Sequence, residues 1–104
     1  MGVLSYGGAD YEFSDRLLAH VQVVITTKLR RRESFALSWI RDGDGGRETI
    51  WVDNGLPIRF RYDDGVIAPL NREWLESLMD GTHRPNGLLV TPEPAASPAA
   101  KGKS

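Results

Sequence analysis

The sequence predicts an α+β domain whose elements follow the order ββ-α-βββ-α-β. Two patterns support this prediction. Apolar residues recur at the spacing of one helical face between Leu17 and Leu29, whereas other segments alternate apolar and polar residues as half-buried strands do. Because an amphipathic helix is stable only when another element covers its apolar stripe, we expect an antiparallel sheet with one long and one short helix packed on one face.

The first three elements are a hairpin and the long helix. Gly7-Gly8 separates residues 2–6 from residues 9–13 and suits the positive φ angles of a tight turn. Ser14 or Asp15 then caps a helix that begins near Arg16. The β-branched run at 21–27 also fits a strand, but the apolar stripe continues on both sides of it and favours a helix.

Three strands are predicted next and are expected to form a meander. Turn residues separate them: the loop Asp42-Gly43-Asp44-Gly45-Gly46 and the pair Asn54-Gly55. The alternating segments are residues 35–39, 48–53 and 58–62.

The remaining chain predicts a short helix, a short strand and a tail. Asn71 is placed to cap a helix over 72–79, and Gly81 is placed to end it. Residues 88–90 offer a last strand. Residues 1–91 are thus expected to form a single domain, and the Pro/Ala-rich residues 92–104 are expected to be disordered.

Composition narrows the class of protein. The 104 residues suit a single globular domain, with 40% hydrophobic and 26% charged residues. The net charge of −1 provides no overall attraction to nucleic acid or to an anionic membrane. The lack of cysteine excludes disulfides, thiolate metal sites and cysteine nucleophiles. Without a signal-peptide pattern or a membrane-length apolar run, the sequence predicts a soluble, cytoplasmic protein.

No catalytic residue, metal ligand or cofactor site is assigned from the sequence. The loop at 42–46 resembles the start of a calcium loop, but Gly46 stands where an oxygen ligand is needed, so a turn is the better interpretation. His20 and His83 lack the spaced partners of a metal site, and no serine lies in a G-x-S-x-G motif. The sequence therefore favours a non-enzymatic protein.

Two surfaces are candidates for binding. If the meander buries its apolar side chains, Trp51, Arg59 and Arg61 share the outer face of the sheet, where a base or another protein can stack. The alternative is that Trp51 only covers the sheet beneath the arginine stems, and a one-residue change of register would bury it.

A basic run near the end of the long helix is the second candidate. Its members, which offer donors to phosphates, are Lys28, Arg30, Arg31 and Arg32. The simpler interpretation is that these cations complement the carbonyl groups at the helix C-terminus.

Several segments together resemble a family of small actinobacterial proteins of unknown function. They are MGVLSYGG, FSDRLLAHVQVVITTKLRRRESFALSW, ETIWVDNGLPIRFRY, LNREWLESLM and GLLVTPEP, which cover nearly the whole chain before the tail. Members often carry the automatic label "ATP-dependent DNA ligase". The resemblance implies a shared fold and supplies that label as a hint, without catalytic residues.

The ligase label does not fit the chemistry of these residues. Such an enzyme needs a lysine nucleophile in a K-x-D-G context, and the nearest match, WIRDG at 39–43, contains no lysine. We therefore expect a small interaction module that binds a protein partner or itself through the outer sheet face. The alternative is a weak nucleic-acid-binding or DNA-ligase-associated protein without a ligase active site of its own.

Overall fold

The computed structural model describes residues 1–67 and 69–94. Within them the α+β class and the predicted order of elements are confirmed. The elements are β1 (Gly2–Tyr6), β2 (Ala9–Phe13), α1 (Asp15–Arg30), β3 (Phe35–Ile40), β4 (Arg47–Val52), β5 (Ile58–Arg61), α2 (Arg72–Gly81) and β6 (Leu88–Leu89).

The strands form two three-stranded sheets instead of the single sheet expected. Sheet A has the order β2-β1-β5 and is antiparallel throughout, and sheet B has the order β4-β3-β6. In sheet B the β3–β4 pair is antiparallel and the β3–β6 pair is parallel.

The predicted meander is therefore wrong. After the turn at Asn54-Gly55 the chain leaves sheet B, and β5 pairs with β1 instead of β4. This pairing aligns Phe60 with Leu4, which is completely buried. Burial of apolar side chains against the centre of sheet A accounts for the choice of partner.

Local sequence signals form the hairpin turn and cap the N-termini of both helices, as the sequence predicts. Gly7 and Gly8 have φ angles of +62° and +83° and close the β1–β2 hairpin. The Ser14 side chain accepts a hydrogen bond from the Leu17 N–H and caps α1. Asn71 caps α2 in the same way by accepting from the Trp74 N–H.

Helix α1 supplies the centre of the core, and its β-branched run is helical as predicted. Its buried apolar residues are Leu18, Val21, Val24 and Ile25. Both sheets direct their inner faces into the same core, in which Leu4 of β1 and Leu37 of β3 have no exposed surface. Trp39 of β3 makes edge-to-face contacts with Tyr11 and Phe13 of β2, which join sheet B to sheet A.

Candidate interaction surfaces

The outer face of sheet B carries a group of exposed apolar side chains. The pairing of β3 with β4 and β6 places Trp51, Ile40 and Leu89 on this face, opposite the buried Leu37 and Val52. Trp51 is 61% exposed, Ile40 53% and Leu89 43%. The predicted exposure of Trp51 is confirmed.

The surface beside the Trp51 indole is formed by small residues. Trp51 pairs with Ala36, and Gly87 packs against the Ala36 backbone. A Cβ atom at Gly87 would lie 2.5 Å from the Ala36 carbonyl oxygen, and its φ of +81° also favours glycine. Ser38 and Thr49 form the next outward-facing pair along β3 and β4, and their hydroxyl groups share a hydrogen bond of 2.6 Å. The result is a mostly apolar face with one large aromatic ring, and the exposed Arg47 lies at its far end beside Ile40.

Arg59 and Arg61 lie on a different surface from Trp51. They belong to β5 and face outward from sheet A, where Arg59 pairs with Ser5 and Arg61 with Val3. The predicted face that combined them with Trp51 is therefore wrong, because β5 does not pair with β4. On the far side of β1, Ser5 and Val3 pair with the exposed residues Asp10 and Glu12. The outer face of sheet A thus has a basic edge and an acidic edge.

The basic run at the end of α1 contains one buried residue, Lys28, and three exposed arginines. Lys28 is only 4% exposed, and its Nζ lies 2.8 Å from Glu33 Oε1. Hydrogen bonding to Lys28 lowers the pKa of Glu33, and the charges of Arg31 and His83 lower it further. Lys28 is thus a buried ion-pair partner, which removes it from the exposed basic surface.

The three arginines Arg30–Arg32 are exposed and form no ion pair within the part of the chain that the structure describes. Arg32 has a φ of +57°, the left-handed conformation usually taken by glycine after a helix. The Arg32 and Glu33 N–H groups donate to the Leu29 and Lys28 carbonyls, which satisfies the helix end. The helix end therefore closes tightly and leaves the three guanidinium groups in solvent.

The two histidines have different surroundings. His20 is completely buried: its Nδ1 donates to the Arg16 carbonyl at 2.7 Å, and its Nε2 accepts from the Asn71 N–H at 2.8 Å. This arrangement requires the neutral ring with its proton on Nδ1. The ring also packs 4.5 Å from the Trp74 ring, so it links α1 to the start of α2. His83 is exposed in the loop after α2.

A clamp that the sequence did not predict holds the segment after β6. Arg16 binds both carboxylate oxygens of Glu93, at 2.6 and 2.7 Å, and donates to the Pro69 carbonyl. The Asn71 side chain donates to the same carboxylate at 2.9 Å. These hydrogen bonds, first that of Arg16, lower the pKa of Glu93 to about 2. The tail predicted over 92–104 thus starts with a residue, Glu93, that the clamp holds in place. Residues 95–104 lie outside the described residues.

The predicted turn at 42–46 is held by its own charged groups. Asp44 accepts from the Arg41 guanidinium and from the Gly46 N–H, and these bonds lower the pKa of its carboxyl.

Across residues 1–67 and 69–94, no three histidine, cysteine, aspartate or glutamate side chains lie close enough together to hold a metal ion. Over the same residues, neither helix has the length and apolarity required to span a bilayer.

Taken together, the fold and its surfaces define a small α+β domain with two sheets on one core and chemically different outer faces. The chain belongs to a family described as a domain of unknown function, DUF7882, whose model matches residues 1–93. That match confirms an uncharacterised family; the actinobacterial origin and the ligase label stay predictions. No curated protein and no solved structure matches the chain.

Proposed function

We propose that this protein is a non-enzymatic interaction module whose outer sheet B face binds a protein partner or a second copy of the chain. The observation that supports this most is the exposure of Trp51 beside Ala36 and Gly87. Exposed apolar patches on small domains mark interaction sites, and tryptophan is among the residues most enriched in binding hot spots.

The arrangement of this face favours contact with a flat apolar surface. Leu89 lies beside Ser38 and Thr49, whose hydroxyl groups satisfy each other, and Ile40 lies one row further along β3. A partner would therefore cover apolar atoms without leaving these hydroxyl groups unpaired, which keeps the cost of desolvation low.

Sedimentation of Trp51→Ser over a range of protein concentrations tests self-binding. Val66→Ser is the matched control, because Val66 is 79% exposed in a loop outside the proposed face. If the face binds a second copy, the wild type and Val66→Ser associate as concentration rises and Trp51→Ser stays monomeric. Both variants are expected to fold, since each replaces a largely exposed side chain.

If the wild type is monomeric at all concentrations, the same variants test a protein partner. Chemical cross-linking in cells followed by mass spectrometry should recover a protein with the wild type and Val66→Ser but not with Trp51→Ser. A Trp51→Ser protein that matches the wild type in both experiments contradicts the proposal.

A second candidate function is weak nucleic-acid binding at the end of α1. It is favoured by three adjacent exposed arginines, Arg30–Arg32, without carboxylate partners among the residues described. Guanidinium groups suit phosphates, and each phosphate contact makes affinity fall as salt rises. Arg59 and Arg61 form a separate pair on sheet A and offer a second contact surface.

Fluorescence anisotropy with a labelled DNA duplex in a salt series tests this candidate. Arg30→Gln with Arg31→Gln should weaken binding and reduce the slope of log K against log salt by about 0.9 for each phosphate that the protein no longer neutralises. Arg59→Gln with Arg61→Gln distinguishes the two basic surfaces. Salt-independent binding, or equal affinity for all three proteins, counts against nucleic-acid recognition.

A further inference from the structure

Strand β2 is an edge strand with unpaired backbone groups. It pairs with β1 alone, and it is joined to β1 by the two-residue turn Gly7-Gly8. In such a hairpin the residues that flank the turn exchange two hydrogen bonds, and hydrogen-bonded pairs then alternate along the strands. Tyr6 with Ala9 and Leu4 with Tyr11 are therefore hydrogen-bonded pairs. The N–H and C=O groups of Asp10 and Glu12 point away from β1.

No other described segment satisfies these groups. Neither Asp10 nor Glu12 forms a backbone hydrogen bond outside the sheet among residues 1–67 and 69–94. Both residues are exposed. A strand edge with free donors and acceptors is a template for another extended chain.

Open space lies along this edge. A cleft of about 1070 Å³ runs between β2 and the end of β3, with Tyr11 and Trp39 on its apolar wall. Thr91 and Glu93 also line the cleft, and the Arg16 clamp fixes Glu93. The cleft can therefore admit an extended segment beside β2 without displacing the core.

The charges along the edge select the kind of segment. Asp10 and Glu12 lie two residues apart on the outer face of sheet A. Asp10 accepts only from the Ser5 hydroxyl, and Glu12 forms no ion pair in the described part of the chain. Of the three arginines that line the cleft, Arg16 and Arg41 are engaged with Glu93 and Asp44, and Arg61 lies across β1 from Glu12. The edge thus presents two carboxylates to whatever strand is added.

We infer that β2 captures an extended basic peptide as a fourth strand of sheet A. In either strand direction, the peptide residues opposite Asp10 and Glu12 point to the outer face, where lysine or arginine would pair with the carboxylates. The residue between them points inward, next to Tyr11 and Trp39, and should be apolar. The ligand is therefore a segment of a protein partner with basic, apolar and basic residues in succession.

Strand β5 of this chain provides a precedent for that pattern. Its residues Arg59, Phe60 and Arg61 lie along the other edge of the same sheet and align through β1 with Asp10, Tyr11 and Glu12. The alternation expected of the ligand is thus one that sheet A already accommodates on its opposite edge.

The test uses the full ¹⁵N-labelled chain and the blocked peptide Thr-Lys-Val-Lys-Val-Lys-Thr. Binding should shift the amide signals of Asp10 and Glu12 and slow their hydrogen exchange. A peptide of the same composition with its three lysines consecutive should bind about tenfold more weakly, because its charges and apolar groups no longer alternate. Signals that shift elsewhere and not in β2 overturn the inference.

Two further comparisons separate strand addition from simple charge attraction. Asp10→Asn with Glu12→Gln should weaken binding about three- to tenfold, whereas the control Glu76→Gln with Asp80→Asn on α2 should not. N-methylation of the central lysine and both valines blocks strand pairing from the peptide side and leaves the protein unchanged. Equal binding of the methylated peptide, or equal loss in the control variant, overturns the inference.

Discussion

The two sheets share one core but present opposite chemistry to solvent. The outer face of sheet A carries acidic residues on β2 and basic residues on β5, separated by Val3 and Ser5. The outer face of sheet B is mainly apolar, with Trp51 as its largest side chain. Because alternate residues of a strand face opposite sides, each outer face can vary while the core stays the same. One small domain therefore exposes two chemically different surfaces.

The sheets also differ in how their third strands are held. In sheet A, β5 pairs with β1 over four residues. In sheet B, β6 pairs with β3 over only two residues, and the Val90 N–H adds a bond to the Ser38 carbonyl. Sheet B therefore depends more on the close approach of Gly87 to Ala36.

The largest expected effect on stability comes from truncating the side chain of the central leucine of either sheet. Leu4→Ala in sheet A and Leu37→Ala in sheet B should each lower the free energy of unfolding by about 2–5 kcal/mol, because both side chains are completely buried. Urea unfolding followed by far-UV circular dichroism and by tryptophan fluorescence measures both losses.

A shared core also predicts that the two probes follow one transition in each variant. The fluorescence comes from Trp39, Trp51 and Trp74, of which Trp39 contacts both sheets, so it should report the same unfolding as the backbone signal. Separate transitions would show that the sheets unfold independently, and the comparison between them would then concern two folding units.

A smaller and unequal effect is expected from paired glycine substitutions. Gly8, in the hairpin turn of sheet A, and Gly87, just before β6 of sheet B, have similar φ angles of +83° and +81°. A Cβ at Gly8 meets no described atom within 4 Å, whereas one at Gly87 meets the Ala36 backbone at 2.5 Å. Gly8→Ala should cost about 1 kcal/mol from conformation alone, and Gly87→Ala about 2–4 kcal/mol because β6 must also shift.

Thermal unfolding of both variants measures this difference. Loss of the Val90 amide protection from hydrogen exchange in Gly87→Ala alone would identify β6 as the element that moves. Equal losses of stability in the two variants would show that the contact with Ala36 adds nothing to the stability of sheet B.

The sequence predicts what is encoded locally. The caps Ser14 and Asn71, the Gly7-Gly8 turn and the alternation within β3 depend on neighbouring residues, so their patterns can be read without knowledge of the fold. The pairing of β5 is different, because alternation shows which side chains share a face but not which strand lies beside them. The exposure of Trp51 was predictable for that reason, and its separation from Arg59 and Arg61 was not.

Contacts with residues outside each sequence pattern also explain the other differences at the candidate sites. Lys28 belongs to a basic run, and nothing in the run itself indicates that this member is buried against Glu33. Glu93 lies between two prolines in a segment of tail-like composition, and its partner Arg16 is 77 residues away. A lone glutamate flanked by prolines is the only local hint that this position is held.

The smallest expected effect concerns this Glu93 clamp, which ties the segment after sheet B to the start of α1. Folding lowers the pKa of the Glu93 carboxyl from 4.5 to about 2, chiefly through its hydrogen bonds with Arg16. Its contribution to stability is therefore fully present above pH 4.5 and is lost as the pH falls toward 2. Glu93→Gln should be slightly less stable than the wild type at pH 7, and the difference should vanish near pH 2. Urea unfolding at several pH values measures it, with Glu76→Gln on α2 as the control. Asp44 and Glu33 also have lowered pKa values, but they titrate in all three proteins, so the difference isolates Glu93. A difference that persists at pH 2 would mean that the clamp acts through packing and not through charge.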